Sequence, residues 1–212
     1  LEHALLSIDQ HLPEAAIEQA IALVTKPESL DTVISNRYFH RLLLEGVPVD
    51  YKQDDQVIHD RAFLIDFNQI HANRFRAINQ FTIQGSKRLR RPDILCFING
   101  LPLAVIELKS PSAETTDIWD AFNQIQTYKE EAPELFIYNQ ALVISDGYHA
   151  RVGSLTANQE RYMPWRTIKH EDDKPLLEWQ LETMVRGFFD RELLLDYLRN
   201  FVIFETDSDK LI

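Results

Sequence analysis

One short run governs what this chain can fold into: RPDILCFINGLPLAVIELK, from Arg91 to Lys109. It sets an Asn-Gly dipeptide between two apolar segments. Both central residues of a tight hairpin turn need a left-handed backbone, and Asn-Gly supplies it at little cost. The run therefore predicts an antiparallel strand pair in the middle of the chain. Its ends are charged: Asp93 opens the first strand, and Glu107 and Lys109 close the second. Side chains alternate across a strand, so Leu103, Val105, Glu107 and Lys109 are expected on one face and Ala104, Ile106 and Leu108 on the other. Glu107 and Lys109 then lie roughly 6.5–7 Å apart. A plain two-residue loop would pair Asp93 with Ile106 and leave the two carboxylates on opposite faces. Their convergence requires a loop of odd length or a bulge, for which Gly100 offers a left-handed residue. Pro92 and Pro102 also disturb a regular ladder.

A carboxylate flanked by Ile106 and Leu108 is costly to bury unless a cation, hydrogen bonds or a metal compensates it. Asp93, Glu107 and the backbone carbonyl of Leu108 form a set of hard oxygen donors that suits Mg²⁺. Lys109 would position or help deprotonate an attacking water and stabilise a charged transition state. That set of groups suits phosphodiester hydrolysis. The residues alone leave a second reading open, in which Glu107 and Lys109 form a solvated pair at a strand end and Asp93 is a turn residue. Glu-x-Lys by itself occurs by chance in most chains.

Elsewhere the apolar period predicts helices over residues 12–25 and Asn36–Glu45, the second stopped by Gly46. Strands are expected at Val47–Tyr51, Ala62–Phe67 and Arg74–Gln84. A helix should begin near Thr115 or Thr116, with Asp117 in its first turn, and run to about Glu130. Strands at Gln140–Ser145 and His149–Gly153 follow, then helices at Leu176–Phe188 and Glu192–Phe201. This order predicts an α/β fold, a mixed sheet flanked by helices with a helical C-terminal extension. The expected division is residues 1–165 and 166–212.

The 212 residues, 45% hydrophobic and 26% charged, suit one large globular domain. Cys96 is the sole cysteine, which excludes an intrachain disulfide and a thiolate metal cage and fits a reducing, cytoplasmic location. No apolar run reaches bilayer length, so no membrane partner is expected. The chain opens on Leu1 and closes on a short polar tail after Phe201-Val202-Ile203-Phe204, as a piece of something longer would. The net charge of −11 argues against a protein that coats nucleic acid. Lys87, Arg88, Arg90 and Arg91 nonetheless gather four cations before Asp93, either a local DNA-binding patch or a solvated loop. Acidic residues gather at Glu130-Glu131 and at Glu171-Asp172-Asp173. No pair of histidines has zinc-ligand spacing. Glu45, Asp50 and Asp66 are the upstream acids that could add to a metal site, with Glu45 a weak preference. Trp119, Trp165 and Trp179 read as packing residues.

The phrases Arg91-Pro92-Asp93-Ile94, Phe97-Ile98-Asn99-Gly100-Leu101-Pro102-Leu103 and Val105-Ile106-Glu107-Leu108-Lys109-Ser110-Pro111 resemble the PD-(D/E)XK nuclease motif. More narrowly, the sequence resembles the N-terminal nuclease domain of the R subunit of Type I restriction–modification enzymes. The likeness extends through Asn79-Gln80-Phe81, Asn123 to Lys129 and Ile144 to Ser154, and covers roughly Ile17 to Trp165. It implies Asp93 and Glu107 as metal ligands, Lys109 as the catalytic lysine, and Gln124 and Tyr128 as a Gln-x-x-x-Tyr pair, one turn apart on one helical face. Without the resemblance, that pair reads as a packing face. The resemblance also implies Mg²⁺, cleavage of double-stranded DNA without sequence choice of its own, and methyltransferase and specificity subunits as partners. ATP and its motor domains belong to the full-length subunit; this sequence has no Gly-x-x-x-x-Gly-Lys-Ser/Thr loop. Two rival expectations are another nuclease of the same fold and an inactive module that only binds DNA or docks a partner.

Overall fold

The computed structural model describes residues 1–110, 117–168, 179–207 and 210–211. Three helices come first: α1 (Glu2–Ile8), α2 (Glu14–Val24) and α3 (Thr32–Glu45). α2 and α3 follow the apolar spacing. α3 starts a turn earlier than expected because Asp31 caps it, its carboxylate accepting the N–H groups of Val33 and Ile34 at 2.8 and 3.1 Å. Gly46, at φ 81°, ends α3 in a conformation that favours glycine. The short α1 was not expected; it buries Ala4 and Leu5.

β1 (Val47–Gln53) and β2 (Gln56–Ala62) form a separate antiparallel hairpin. The strand expected at Ala62–Phe67 is instead a partly buried loop after β2, with Leu64 and Ile65 in the core. Side chains stand in for a strand partner there. Phe63 N–H donates to Asp9 Oδ2 at 2.7 Å, and Asp66 N–H donates to Asn73 Oδ1 at 2.9 Å.

The main sheet has the order β3 (Phe75–Asn79), β6 (Ile94–Ile98), β7 (Leu101–Leu108), β8 (Ala141–Ser145), β9 (Ala150–Gly153). Its pairings are antiparallel except β7 with β8, which are parallel and joined through α4 (Ile118–Glu131). The single strand expected over Arg74–Gln84 is divided. β3 ends at Asn79, Gln80 turns the chain at φ 52°, and β4 (Ile83–Gln84) pairs with β5 (Leu89–Arg90) in a small hairpin. Asp117 is the N-cap of α4 rather than a first-turn residue, and shares a reciprocal cap with Asp120. The start expected at Thr115 or Thr116 lies outside the described residues, as do the acids 171–173.

After the four-residue α5 (Pro133–Phe136), the C-terminal part holds α6 (Gln180–Thr183), a π-helical turn over Met184–Phe188, and α7 (Arg191–Asn200). β10 (Thr206–Asp207) pairs with β11 (Lys210–Leu211). The first part of the helix expected from Leu176 lies outside the described residues. Trp179 is not a core residue: it is 47% exposed and stacks on Tyr148, with ring centroids 5.1 Å apart.

Each face of the sheet has its own apolar core. One unites α1–α3 and the C-terminal helices, through Leu5, Ile17, Leu43, Met184, Phe188 and Leu195, with Ile98, Ala104 and Ile106 of the sheet. The other packs α4, through Ala121, Ile125 and Tyr128, against Leu95, Val105, Leu142 and Ile144. β8 is buried throughout, as a strand covered on both faces should be.

The hairpin is irregular, as the convergence of the carboxylates required. Asn99 and Gly100 take φ 55° and 89° and close a regular two-residue turn. Ile98 pairs with Leu101 and Phe97 with Pro102, but Cys96 then pairs with Ala104 and Ile94 with Ile106. The bulge is therefore at Leu103, not at Gly100. It follows Pro102, which has no N–H to give the ladder. Leu103 is not on the Val105 face, as strict alternation had it. It joins Ala104 and Ile106 in the first core, while Val105 faces α4.

Candidate active site

Past the bulge, Asp93 stands beside Glu107. Asp93 N–H points at Glu107 Oε2 at 3.4 Å, and Leu108 N–H donates to Asp93 Oδ2 at 2.8 Å. Glu107 is only 1% exposed. Burial, and next the charge of Asp93, push its carboxyl up to about 7; the Asp93 N–H and Lys109 partly offset them. Two carboxylates in contact, one buried and one half-buried, attract a cation.

Lys109 supplies part of that charge. Its Nζ lies 3.8 Å from Glu107 Oε1, and its backbone N–H donates to Ser145 O at 2.8 Å, which ties the end of β7 to β8. The ammonium also donates to Gln124 Oε1, and Gln124 Nε2 donates to the Tyr128 hydroxyl. Gln124 and Tyr128 lie one turn apart on α4, whose apolar residues seat it on β7 and β8. Burial raises the Tyr128 hydroxyl, and the nearby charges of Glu107 and Asp93 add to the rise. The structure thus joins Asp93, Glu107, Lys109, Gln124 and Tyr128 in one chain of contacts.

Among the described residues, no group of three or more His, Cys, Asp or Glu side chains could hold a metal. Two carboxylates at a strand end still fit Mg²⁺, which takes one or two of them and fills its shell with water and phosphate oxygens. The upstream acids are engaged elsewhere. Glu45 pairs with Arg61 at 3.9 Å, Asp50 meets His59 at 2.7 Å, and Asp66 accepts the N–H groups of Asn68 and Gln69.

The family profile described as Type I restriction enzyme R protein N terminus matches residues 1–161. The chain belongs to this family. It is 43% identical over 211 residues to the Type I restriction enzyme HindI endonuclease subunit of Haemophilus influenzae, covering 98% of this chain and 20% of that protein. It is 30% identical over 174 residues to the Type I restriction enzyme EcoprrI endonuclease subunit of Escherichia coli, covering 76% of this chain and 54% of that one. A Staphylococcus aureus relative, the SauCOLORF180P endonuclease subunit, is 35% identical over 112 residues, or 52% of this chain and 11% of that protein. The chain spans about a fifth of the HindI subunit.

This member of the R-protein family holds its basic loop against α4. Glu131 pairs with Arg90, lies 3.8 Å from Arg88 Nε, and accepts the Lys87 backbone N–H at its main-chain oxygen at 3.3 Å. Arg91 Nε donates to Gln80 O at 3.4 Å. Arg88 and Arg90 thus share one carboxylate, which leaves one positive charge of the two uncompensated.

Gln80 was not singled out from sequence as a site residue. Its backbone N–H donates to Asp93 O at 2.9 Å and its Nε2 to Asp93 Oδ1 at 2.8 Å. It grips Asp93 by main chain and side chain from a left-handed backbone. Periodicity could not reveal that, because a Gln after a strand carries no signal for a positive φ.

Proposed function

We propose that this R-protein N-terminal domain is a Mg²⁺-dependent endonuclease of the PD-(D/E)XK type. It hydrolyses phosphodiester bonds of double-stranded DNA without sequence choice of its own. The observation that carries the reading is the Asp93–Glu107 pair, with Glu107 buried and Lys109 fixed beside it.

Asp93, Glu107 and the Leu108 carbonyl would hold the cation. Bound there, Mg²⁺ supplies Lewis-acid stabilisation of charge on the phosphate. Lys109 does the charge work: its ammonium, aimed by Gln124, would orient the attacking water and stabilise the developing phosphate charge. One P–O bond forms from the water oxygen as the bond to the leaving sugar oxygen breaks, the water giving up a proton to solvent and the leaving oxygen taking one up from it. Tyr128 fixes the Gln124 amide, so Lys109 is held without a direct contact of its own to the aromatic ring.

The relatives are named as endonuclease subunits, and the chain covers only part of each. In the whole subunit, cleavage would be coupled to ATP-driven translocation by motor domains in cis, with residues 166–212 leading towards them. Methyltransferase and specificity subunits would choose the DNA. Among the described residues, no helix is long and apolar enough to cross a membrane.

Calorimetric titration of Mn²⁺, as a Mg²⁺ surrogate, into this chain and its Glu107→Ala variant tests the reading. Binding by the first and its loss in the second are expected. Absence of binding in both would remove the metal from the assignment.

A further inference from the structure

The α4 side of the sheet is only partly covered. α4 seats on β7 and β8 and reaches Leu95 of β6, while Arg76 and Ala77 of the edge strand β3 stay exposed. The register of β3 with β6 sets Arg76 opposite Phe97 and Ile78 opposite Leu95, so both point to the α4 side. Gln80, which turns the chain just past β3, touches Asp93. Over this open strand lies a cavity of about 280 Å³, lined in part by His3, Arg74, Arg76, Ile78, Phe81 and Phe97.

The charges differ from those of Arg88 and Arg90 in the 87–91 loop, although Lys87 and Arg91 there also lack a carboxylate partner among the described residues. Arg88 and Arg90 are drawn to Glu131, whereas no carboxylate pairs with Arg74 or Arg76 among the described residues. Arg74 donates to His3 Nε2 at 3.1 Å and so keeps its full charge. Its backbone is clamped by the hairpin turn: Arg74 N–H donates to Asn99 Oδ1 at 2.8 Å, and Asn99 N–H donates to Arg74 O at 2.9 Å. Asn99 is itself buried and donates to Leu64 O and Asn73 Oδ1, both at 2.9 Å. Two unneutralised guanidinium groups are thus presented from a rigid strand in a chain of net charge −11. Guanidinium matches phosphate geometry, and its contacts position a duplex without reading sequence.

We infer that β3 is the DNA track: the sugar–phosphate backbone lies along it, with Arg74 and Arg76 on successive phosphates and the Asp93–Glu107 pair at its far end. Arg76 lies three residues, or roughly 10 Å, from the end of β3 at Asn79, so the contacted phosphates lie to one side of the cleaved one. The inference rests on the nuclease reading and names the surface by which that site meets its substrate. It also separates two sets of cations: Arg88 and Arg90 pair with α4, and β3 holds DNA.

The test uses the complete restriction complex, with DNA cleavage followed against salt for the wild type, the Arg74→Ala/Arg76→Ala double variant, Arg76→Lys, and Lys87→Ala. The double variant should cleave at least tenfold more slowly at moderate salt and recover at low salt, where the remaining contacts strengthen. The log–log slope of its DNA affinity on salt should fall by about two, one per lost phosphate contact. Arg76→Lys should keep most of the activity, Lys87→Ala should cleave normally, and translocation should be unchanged in all. Cleavage at the wild-type rate by the double variant would overturn the inference and leave the nuclease reading standing. A defect that neither low salt nor Arg76→Lys relieves would also overturn it, since that marks a packing role. Absence of cleavage by the wild type would sink the nuclease reading instead; the salt slope of binding would then decide whether β3 contacts DNA.

Discussion

Two carboxylates are buried among the described residues, and they differ in company. Asp9, at the end of α1, is 3% exposed, and burial lifts it to about 6. Glu107, at the end of β7, is 1% exposed and lifted to about 7. Asp9 serves the fold, since it accepts the Phe63 N–H at 2.7 Å and holds a loop that has no strand partner. Glu107 has a second carboxylate in contact and a lysine 3.8 Å away. Burial alone raises both and distinguishes neither. Asp9 feels the like charges of Asp60 and Asp66 only at a distance; what marks the Glu107 corner is a second carboxylate in contact with the buried one.

The comparison is broken first by activity. Asp93→Ala, Glu107→Ala and Lys109→Ala in the complete subunit should each lower DNA cleavage by about 10³-fold or more and leave ATP-driven translocation intact, within the range for lost acid–base or charge-stabilising groups. Asp9→Ala should still cleave at a temperature where it stays folded. Equal loss of translocation and cleavage in a folded Glu107→Ala variant would refute the assignment.

Stability should run the other way. The folded state holds the Glu107 proton more tightly than the unfolded chain, whose carboxyl titrates near 4.5. The resulting stabilisation is present below pH 4.5 and is lost as pH rises through about 7. Glu107→Gln should therefore raise the stability of the cation-free chain at pH 8 by up to about 3 kcal/mol, and flatten its decline between about pH 5 and 8. A chemical-denaturation series at the two pH values, with chelator present, reads this directly. Unchanged stability at pH 8 would mean that the carboxylate is already compensated by the protein.

Asp9 has the same sign over a lower window, from 3.8 to about 6. Its loop contact matters more. Asp9→Ala strands the Phe63 N–H and should cost about 1–3 kcal/mol, while Asp9→Asn keeps an acceptor and should cost less. Thermal melts of the two variants check the order.

The smallest effects belong to the supporting shell. Gln124→Ala and Tyr128→Ala should lower cleavage about tenfold with folding intact, as expected of groups that hold a catalytic one in place. Normal rates in both would return them to a packing role. Gln80→Gly should relieve the left-handed backbone, leaving the melting temperature equal or higher, yet weaken Mn²⁺ binding by loosening Asp93.

Much of this was legible before folding. Asn99-Gly100 gave the turn, the apolar run from Gln140 gave a strand buried on both faces, and the need for Asp93 to meet Glu107 required the hairpin to be irregular. Where it would be irregular was not legible. Gly100 has the conformational freedom, but the turn uses it, and the extra residue falls after Pro102, where the ladder has no N–H to lose. The run Ala62–Phe67 misled for a related reason. Its composition is that of a strand, but its backbone partners are the side chains of Asp9 and Asn73, the first far upstream in the chain and the second a short loop after it. The Gln80–Asp93 contact and the pairing of Arg88 and Arg90 with Glu131 depend on tertiary approach, which no local pattern encodes.

The bulge at Leu103 makes the site a matter of parity. Every residue from Ala104 to Lys109 owes its side of the sheet to one uncounted position between the turn and the site. Deleting Leu103 would remove the bulge and leave Asp93 opposite Glu107 in a regular ladder, whereas removing two residues there would send the two carboxylates to opposite sides. The motif is thus spelled by its letters but brought together by a bulge that absorbs the one residue by which the second arm of the hairpin exceeds the first.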